Sequence, residues 1–495
     1  MHAFSRTTAD FGQCLRKILA DKDISASELA RMMSVKSRNS VFRILSGESG
    51  YSTLKAFCDR LMDEDPLALT HQEREALVRA LNVSRVGAEN YHSYCEIAKM
   101  IGEAEDESLA DAQDLGAHAA IADIEEAVSQ CREAHITITG CCDRQLFEQF
   151  RKMVLSAGKS TKLTITHFIY TGEREVIHNI SAVQPLLFES CYVPYALEPD
   201  MFLPEKEQLY RSNCVLLNAV DREGKRFEQV FLLVDKGVFC TMGRRAPGGF
   251  QLLKSILGDD TLRMHPLKKN FASVSGVQTY ADFISECAEL ERGRTIYNIR
   301  QDVPLSYVHP DILVSAVTEG FGDTGFAEAS ELEALLPVFY KGQMRRYQNL
   351  FEKRRMTHTI FTREAMERFA RTGELSDHFF AMRPFMAEER VRILSHLRDQ
   401  AVNNPHFKVY FFCDGYVPPR KEIGLYEGAG ILFAKPNTDY NLAGDHAEAI
   451  VDQPQLCERY RGFYLQYLLE DCVVSQEETL KILDSLIDIA KEAQH

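Results

Sequence analysis

ISASELARMMSVKSRNSVFRILSG, residues 24–47, is the stretch on which the reading of this chain turns. Ser25 stands three residues before Glu28, the spacing at which a hydroxyl and a carboxylate cap each other's backbone at a helix start. The helix that follows turns Leu29, Ala30 and Met33 inward, and the small Ala30 lets a second helix cross closely. Ser34 and Val35 read as a tight turn, with Val35 plugging the gap between the two helices. Ser37 is placed to cap the next helix, whose inner face is Val41, Ile44 and Leu45. Its outer face offers Arg38, Asn39, Ser40 and Arg43, and Gly47 ends it as a C-cap.

Working outward, Phe11, Leu15, Ile18 and Leu19 recur at helical spacing and predict a first helix ending near Lys22. After Gly47, a helix from Ser52 packs Leu54, Phe57 and Leu61. The order helix, S-x-x-E-L-A, turn, V, basic helix, G, S-T-L resembles the Cro/phage-repressor type (XRE-like) helix-turn-helix regulators over about residues 11–62. The resemblance implies that the helix from Ser37 enters a DNA major groove. It makes Arg38, Asn39 and Ser40 the base-edge readers, Arg43 a base or phosphate contact, and Lys36 and Ser37 phosphate contacts. It also implies double-stranded DNA as partner and a homodimer on paired half-sites. Two departures touch the register: Ala26 stands where many relatives have Gln, and residues 35–47 run one residue longer than the common spacing. A small helical bundle that binds protein instead of DNA is the competing reading of the same residues.

Charge is consistent with a local contact surface. The chain of 495 residues carries −15 overall, yet residues 1–61 hold ten Lys/Arg against six Asp/Glu, which leaves −19 for the remainder. A basic patch on an acidic body suits a protein that touches DNA with one small part. A composition of 45% hydrophobic and 26% charged residues is that of a globular chain, and its length suggests about three domains. No run approaches the ~18 apolar residues of a spanning helix, and the N-terminus lacks a signal-peptide pattern. Thirteen cysteines in no regular framework fit a reducing cytoplasm. The expectation is a cytoplasmic protein without a membrane partner.

The chain divides into four segments. Residues 1–65 are the helix-turn-helix domain, closed by Asp63-Glu-Asp-Pro66. Residues 66–130 form a helical connector and candidate dimerisation element. Thr70 and Glu73 make a second capping box for a helix burying Leu77, Val78 and Leu81; Tyr91 to Ile101 is another helix, 103–114 an acidic loop, and 118–132 a last helix. Residues 131–300 and 301–495 read as a large α/β, mixed-sheet body with the suggestion of two lobes. Strands are expected at 135–139, 162–170, 213–218, 227–234, 238–242, 357–361, 407–412 and 430–434, with a hairpin at Asp221–Gly224. Helices are expected at 143–156, 280–291, 328–352 and 387–403, and across 455–493 with a break near 473–475.

Several motifs invite chemistry without completing it. Gly320-Phe-Gly-Asp-Thr-Gly325 satisfies G-x-G-x-x-G but lacks a preceding strand and reads as a loop. Ala157-Gly-Lys-Ser-Thr161 lacks the first glycine of a phosphate loop, Met153 standing there. His406-Phe-Lys408 with Asp414 approximates the His-x-Lys…Asp pattern of phospholipase D-like enzymes, with the Asp one residue too far. Cys141, Cys142 and His135 have no metal-ligand spacing. Asp445, His446 and Glu448 read as a polar loop cluster, equally a ligand contact or a helix cap. With no catalytic, cofactor or metal set legible, the expectation is a sequence-specific DNA-binding transcriptional regulator. Its C-terminal region would sense a small-molecule effector or mediate oligomerisation. An enzyme of unknown reaction with an appended helix-turn-helix module is the alternative.

Overall fold

In a computed structural model of the chain, the structure describes residues 10–34, 38–102, 115–140, 144–157, 160–172, 175–197, 214–234, 238–242, 266–270, 277–301, 303–322, 329–351, 355–375, 382–414, 416, 422–435 and 447–493. Two compact units emerge, Met1–Ile97 and Ala98–His495.

In the first unit, α1 (Phe11–Asp21), α2 (Ala26–Met32), α3 (Arg38–Leu45), α4 (Tyr51–Glu64) and α5 (His71–Val86) enclose one core. The capping box is formed: Glu28 N donates to Ser25 Oγ at 3.2 Å and Ser25 N donates to the Glu28 carboxylate at 2.8 Å. Leu29, Ala30, Met33, Val41, Ile44 and Leu45 are buried as their spacing requires, and Gly47 takes a φ of +79°. Val35, Lys36 and Ser37, including the expected gap-plug and cap, lie outside the described residues. The second capping box also forms, between Thr70 and Glu73. Leu77 and Leu81 are buried, but Val78 is 46% exposed, so the apolar stripe of α5 is narrower than expected.

The second unit is the α/β body. α6 (Ala88–Gly102) leaves the first unit, and α7 (Leu115–Ser129) leads into β1 (Cys131–Thr139). Cys131 to Ala134 extend that strand beyond the expected start at His135. Then come α8 (Arg144–Ala157), β2 (Lys162–Tyr170), α9 (Val176–Leu187), β3 (Tyr192–Leu197), β4 (Cys214–Asp221), β5 (Arg226–Val234) and β6 (Val238–Met242). They build a six-stranded sheet in the order β3-β2-β1-β4-β5-β6.

A short strand, β7 (Lys268–Asn270), and α10 (Val277–Glu291) precede the second lobe. That lobe comprises β8 (Ile296–Arg300), α11 (Pro310–Gly322), α12 (Ala329–Phe351), β9 (Thr357–Phe361), α13 (Arg363–Thr372), α14 (Ala387–Asn403) and β10 (Phe407–Phe411). β11 (Glu422–Tyr426), β12 (Gly430–Lys435) and β13 (Ala447–Val451) follow. The sheet order is β10-β9-β8-β11-β12-β13-β7. α15 (Pro454–Phe463) passes into a π-helix (Tyr464–Cys472), and α16 (Gln476–Glu492) ends the fold.

The two sheets share one topology. In each, the first three strands are parallel and the next three antiparallel, in the same spatial order. The second sheet takes up this order from β8, ahead of both the expected boundary at 300 and the strand at 357. β7 belongs to the second sheet as well, while Pro266 bridges Tyr195 and Leu267 N donates to Pro194 O beside β3. Residues 266–270 thus tie one lobe to the other.

One face of the second sheet is packed by helices around Phe361, Phe407, Val409 and Phe411, with Leu483 and Leu486 of α16. Within it lie two charged pairs: Arg300 Nη1 to Glu422 Oε2 at 2.7 Å, and Arg346 to Glu291 Oε1 at 2.7 and 3.0 Å. The opposite face carries Tyr297, His358, Lys408 and Tyr410.

Candidate functional site

The helix expected to read DNA exposes Asn39, Ser40 and Arg43. Arg38 opens α3, and its side chain, with all of Lys36 and Ser37, is outside the described residues. The same outer surface carries Phe42 at 50% exposure, an apolar ring among the expected polar readers. Arg43 Nη2 donates to Glu48 O at 3.5 Å.

A denser constellation stands on the second sheet. Tyr297, His358 and Lys408 are register partners on the adjacent parallel strands β8, β9 and β10, so their side chains form one row across the sheet. His358 stacks on Tyr297 at 5.2 Å with the rings 16° apart, and lies parallel to Tyr410 at 6.2 Å. Tyr464, the first residue of the π-helix, meets His358 edge-on at 6.4 Å and Tyr297 at 5.3 Å. Its hydroxyl donates to Asn298 O at 3.1 Å, which fixes the ring over the row. Single stretches of π-helix recur at functional sites because the wider turn re-aims side chains. At the rim the Tyr297 hydroxyl donates to Glu427 Oε1 at 3.4 Å, and Arg461 faces the same carboxylate at 3.8 Å.

Electrostatics sharpen the row. Burial, then the nearby Lys408 charge, pushes the His358 imidazole down to about 4, so it is neutral at pH 7. Its Nδ1 is buried and without a hydrogen-bond partner among the described residues. Lys408 likewise has no ion pair or hydrogen bond among them. Burial raises the hydroxyls of Tyr410 and Tyr464, keeping both phenols protonated. A neutral imidazole beside an ammonium, walled by aromatic rings, can accept a proton or form a bond while the ammonium balances negative charge.

The other motifs do not converge. Asp414 lies past the far end of β10 from His406, so the His-x-Lys…Asp residues are spread along a strand instead of gathered. Lys408 is the one member that joins the row. Gly320 and Gly322 sit inside α11 instead of a loop, and a side chain at Gly320 would strike the backbone of Met382 and Arg383, so the glycine serves packing. Ala157 is the last residue of α8, and Gly158 and Lys159 lie outside the described residues. His135 Nε2 contacts Thr166 Oγ1 at 2.9 Å, and Cys141 and Cys142 are outside the described residues. Glu448 belongs to β13, correcting the expected loop, while Asp445 and His446 lie outside the described residues. His167 shares a 2.7 Å hydrogen bond with the Tyr192 hydroxyl and stacks on Phe147, a core role. Among the described residues no His, Cys, Asp and Glu group could hold a metal, and no helix is long and apolar enough to cross a membrane.

No protein-family model and no curated protein matches the chain. A solved phosphatidylserine synthase from Haemophilus influenzae is similar over 82% of this chain and 98% of its own, at 9% identity and a TM-score of 0.24. That score is too low to carry fold or activity across. The expected transcriptional regulator finds no support in these comparisons. The regulator reading rested on an eighth of the chain, and the residues it required are in part undescribed and in part interrupted by Phe42.

His358 was missed in the sequence although its strand was read correctly. Its partners come from Tyr297, Lys408 and Tyr464, far apart in the chain, and only the sheet register joins them. The signal within reach was a histidine inside a five-residue strand of Thr, Ile and Phe.

Proposed function

We propose that the α/β body is an enzyme acting on a small anionic ester at the Tyr297–His358–Lys408 row, with the N-terminal unit as an appended module. The observation that supports this is the His358 imidazole, held neutral between two tyrosine rings and beside an ammonium that makes no ion pair among the described residues. His358 serves as general base or nucleophile through Nε2. Lys408 holds the anionic group of the substrate and balances charge that develops on it. Tyr297, Tyr410 and Tyr464 wall the site and limit water. This departs from the expectation, read from sequence, that the chain is not an enzyme.

The test is steady-state turnover of p-nitrophenyl phosphate and bis(p-nitrophenyl) phosphate by the full chain, against neutral p-nitrophenyl acetate. An anionic ester is expected to be turned over in preference. His358→Ala is expected to lower kcat/KM by roughly 100-fold or more, and Lys408→Ala to raise KM. No turnover of either phosphate ester, or a rate unchanged in His358→Ala, would sink the proposal.

The N-terminal unit keeps its XRE-like resemblance as a proposal about its lineage. Duplex DNA bound by the full chain at low salt, and weakened by Arg43→Ala, would support a DNA-contacting module; absence of binding would favour a protein-interaction module.

A further inference from the structure

The C-terminal end of β10 and the end of the π-helix meet at a pair of cysteines. Phe412 and Val473 form an antiparallel bridge, flanked by Val474 N donating to Phe411 O at 3.0 Å and Cys413 N donating to Cys472 O at 2.9 Å. A main-chain hydrogen bond of that length holds the two Cα atoms within about 6 Å, inside the ~4.4–6.8 Å that a disulfide spans. The Cys413 Sγ lies 4.0 Å from the carbonyl oxygen of Asp471, the residue before Cys472. Cys413 is half-buried and Cys472 buried.

We infer that Cys413 and Cys472 form a reversible disulfide, a redox-modified site that staples the π-helix to β10. The oxidant is a low-molecular-weight disulfide such as oxidised glutathione. The Cys413 thiolate attacks one of its sulfurs, forming a mixed disulfide and releasing one glutathione thiolate. The Cys472 thiolate then attacks the Cys413 sulfur, forming the protein disulfide and releasing the second glutathione thiolate. The two thiol protons end on the departing glutathiones, which carry away the two electrons. The inference is independent of any activity at His358, because it rests on the backbone bridge that sets Cys413 opposite Cys472.

The full chain is equilibrated in buffers of graded oxidised-to-reduced glutathione ratio, alkylated, digested and analysed by mass spectrometry without reduction. The expected result is a cross-linked peptide pair containing Cys413 and Cys472, lighter by two hydrogens than the separate thiol peptides, rising with the oxidised fraction and reversed by reductant. Cys413→Ser and Cys472→Ser should each abolish it, and Cys472→Ser should leave Cys413 as a stable glutathione adduct. A wild-type chain that accumulates only that adduct would overturn the inference, as would one that stays reduced throughout or pairs these cysteines at random with the others.

Discussion

At pH 7 the His358 imidazole is neutral because burial and Lys408 both oppose its charge. In an unfolded chain a histidine titrates near 6.5; in the fold His358 titrates at about 4. Between those values the unfolded chain binds a proton that the fold refuses. Stability from this residue is therefore complete above about 6.5, falls as pH drops toward about 4, and declines no further below it. Denaturant titrations at pH 7 and pH 4.5 are expected to show a smaller acid loss in His358→Gln than in the parent; equal losses would mean that the row does not hold the imidazole neutral. Arg300 and Glu422 pose the opposite problem, a charge pair only 6% and 3% exposed. Glu422 also accepts from Gln301 N at 3.0 Å. Glu422→Ala leaves the guanidinium buried without its carboxylate and is expected to cost about 3–5 kcal/mol, read as a shift in urea midpoint at unchanged slope.

Elements differ in how plainly the sequence declares them. β2, β6 and β9 were read at their observed ends, and so was α14, because alternation or helical spacing is continuous in each. β8 and β11 were not. Every residue of either strand is buried, and each carries a charged side chain into the core. Arg300 looks locally like a loop residue, and its partner Glu422 is supplied by another strand. α9 was missed for a related reason: it is buried nearly all round and contains Pro185, so no polar face marks its period. The same dependence on distant contacts applies to the turn after α13. Gly373 has a φ of +75°, and a Cβ there would lie 2.1 Å from Phe385 O. Phe385 N in turn donates to Gly373 O at 3.0 Å, so the two segments are fixed against each other. Gly373→Ala is expected to destabilise by roughly 2–4 kcal/mol, combining left-handed backbone strain with overpacking, measured by thermal and urea unfolding of the full chain. A loss under ~0.5 kcal/mol, the scatter of ordinary surface changes, would show that the segment at Phe385 yields easily.

Across the α/β body, the two sheets are held together in part by one buried lysine. Lys268 Nζ donates to Glu189 O at 2.6 Å and Tyr192 O at 3.3 Å, from a strand that completes the second sheet. Burial lowers its ammonium to about 8, with Cys191 and Glu189 opposing that shift. An unfolded lysine titrates near 10.4. Between about 8 and 10.4 only the unfolded chain keeps the proton, so the burden of the buried charge is relieved as pH rises through that window. Relative to Lys268→Met, the parent is expected to gain stability between pH 8 and pH 10, seen as a narrowing or reversal of the difference in melting temperature. A constant difference across that range would place the ammonium in contact with water.

Residues 266–270 have a consequence for synthesis on the ribosome. The edge strand of the second sheet is made before any other part of it, since β13, its pairing partner, comes last among the strands. At roughly 5–20 residues per second, β7 waits on the order of ten seconds or more before β13 is made, held where residues 266 and 267 meet β3. The first lobe therefore acts as a mould: it presents a finished strand on which the last strand of the second sheet can close. A chain truncated ahead of residue 266, or a second lobe produced from β8 onward, would end with β13 as a bare edge. Such a fragment is poised to pair with its neighbours in solution instead of with itself.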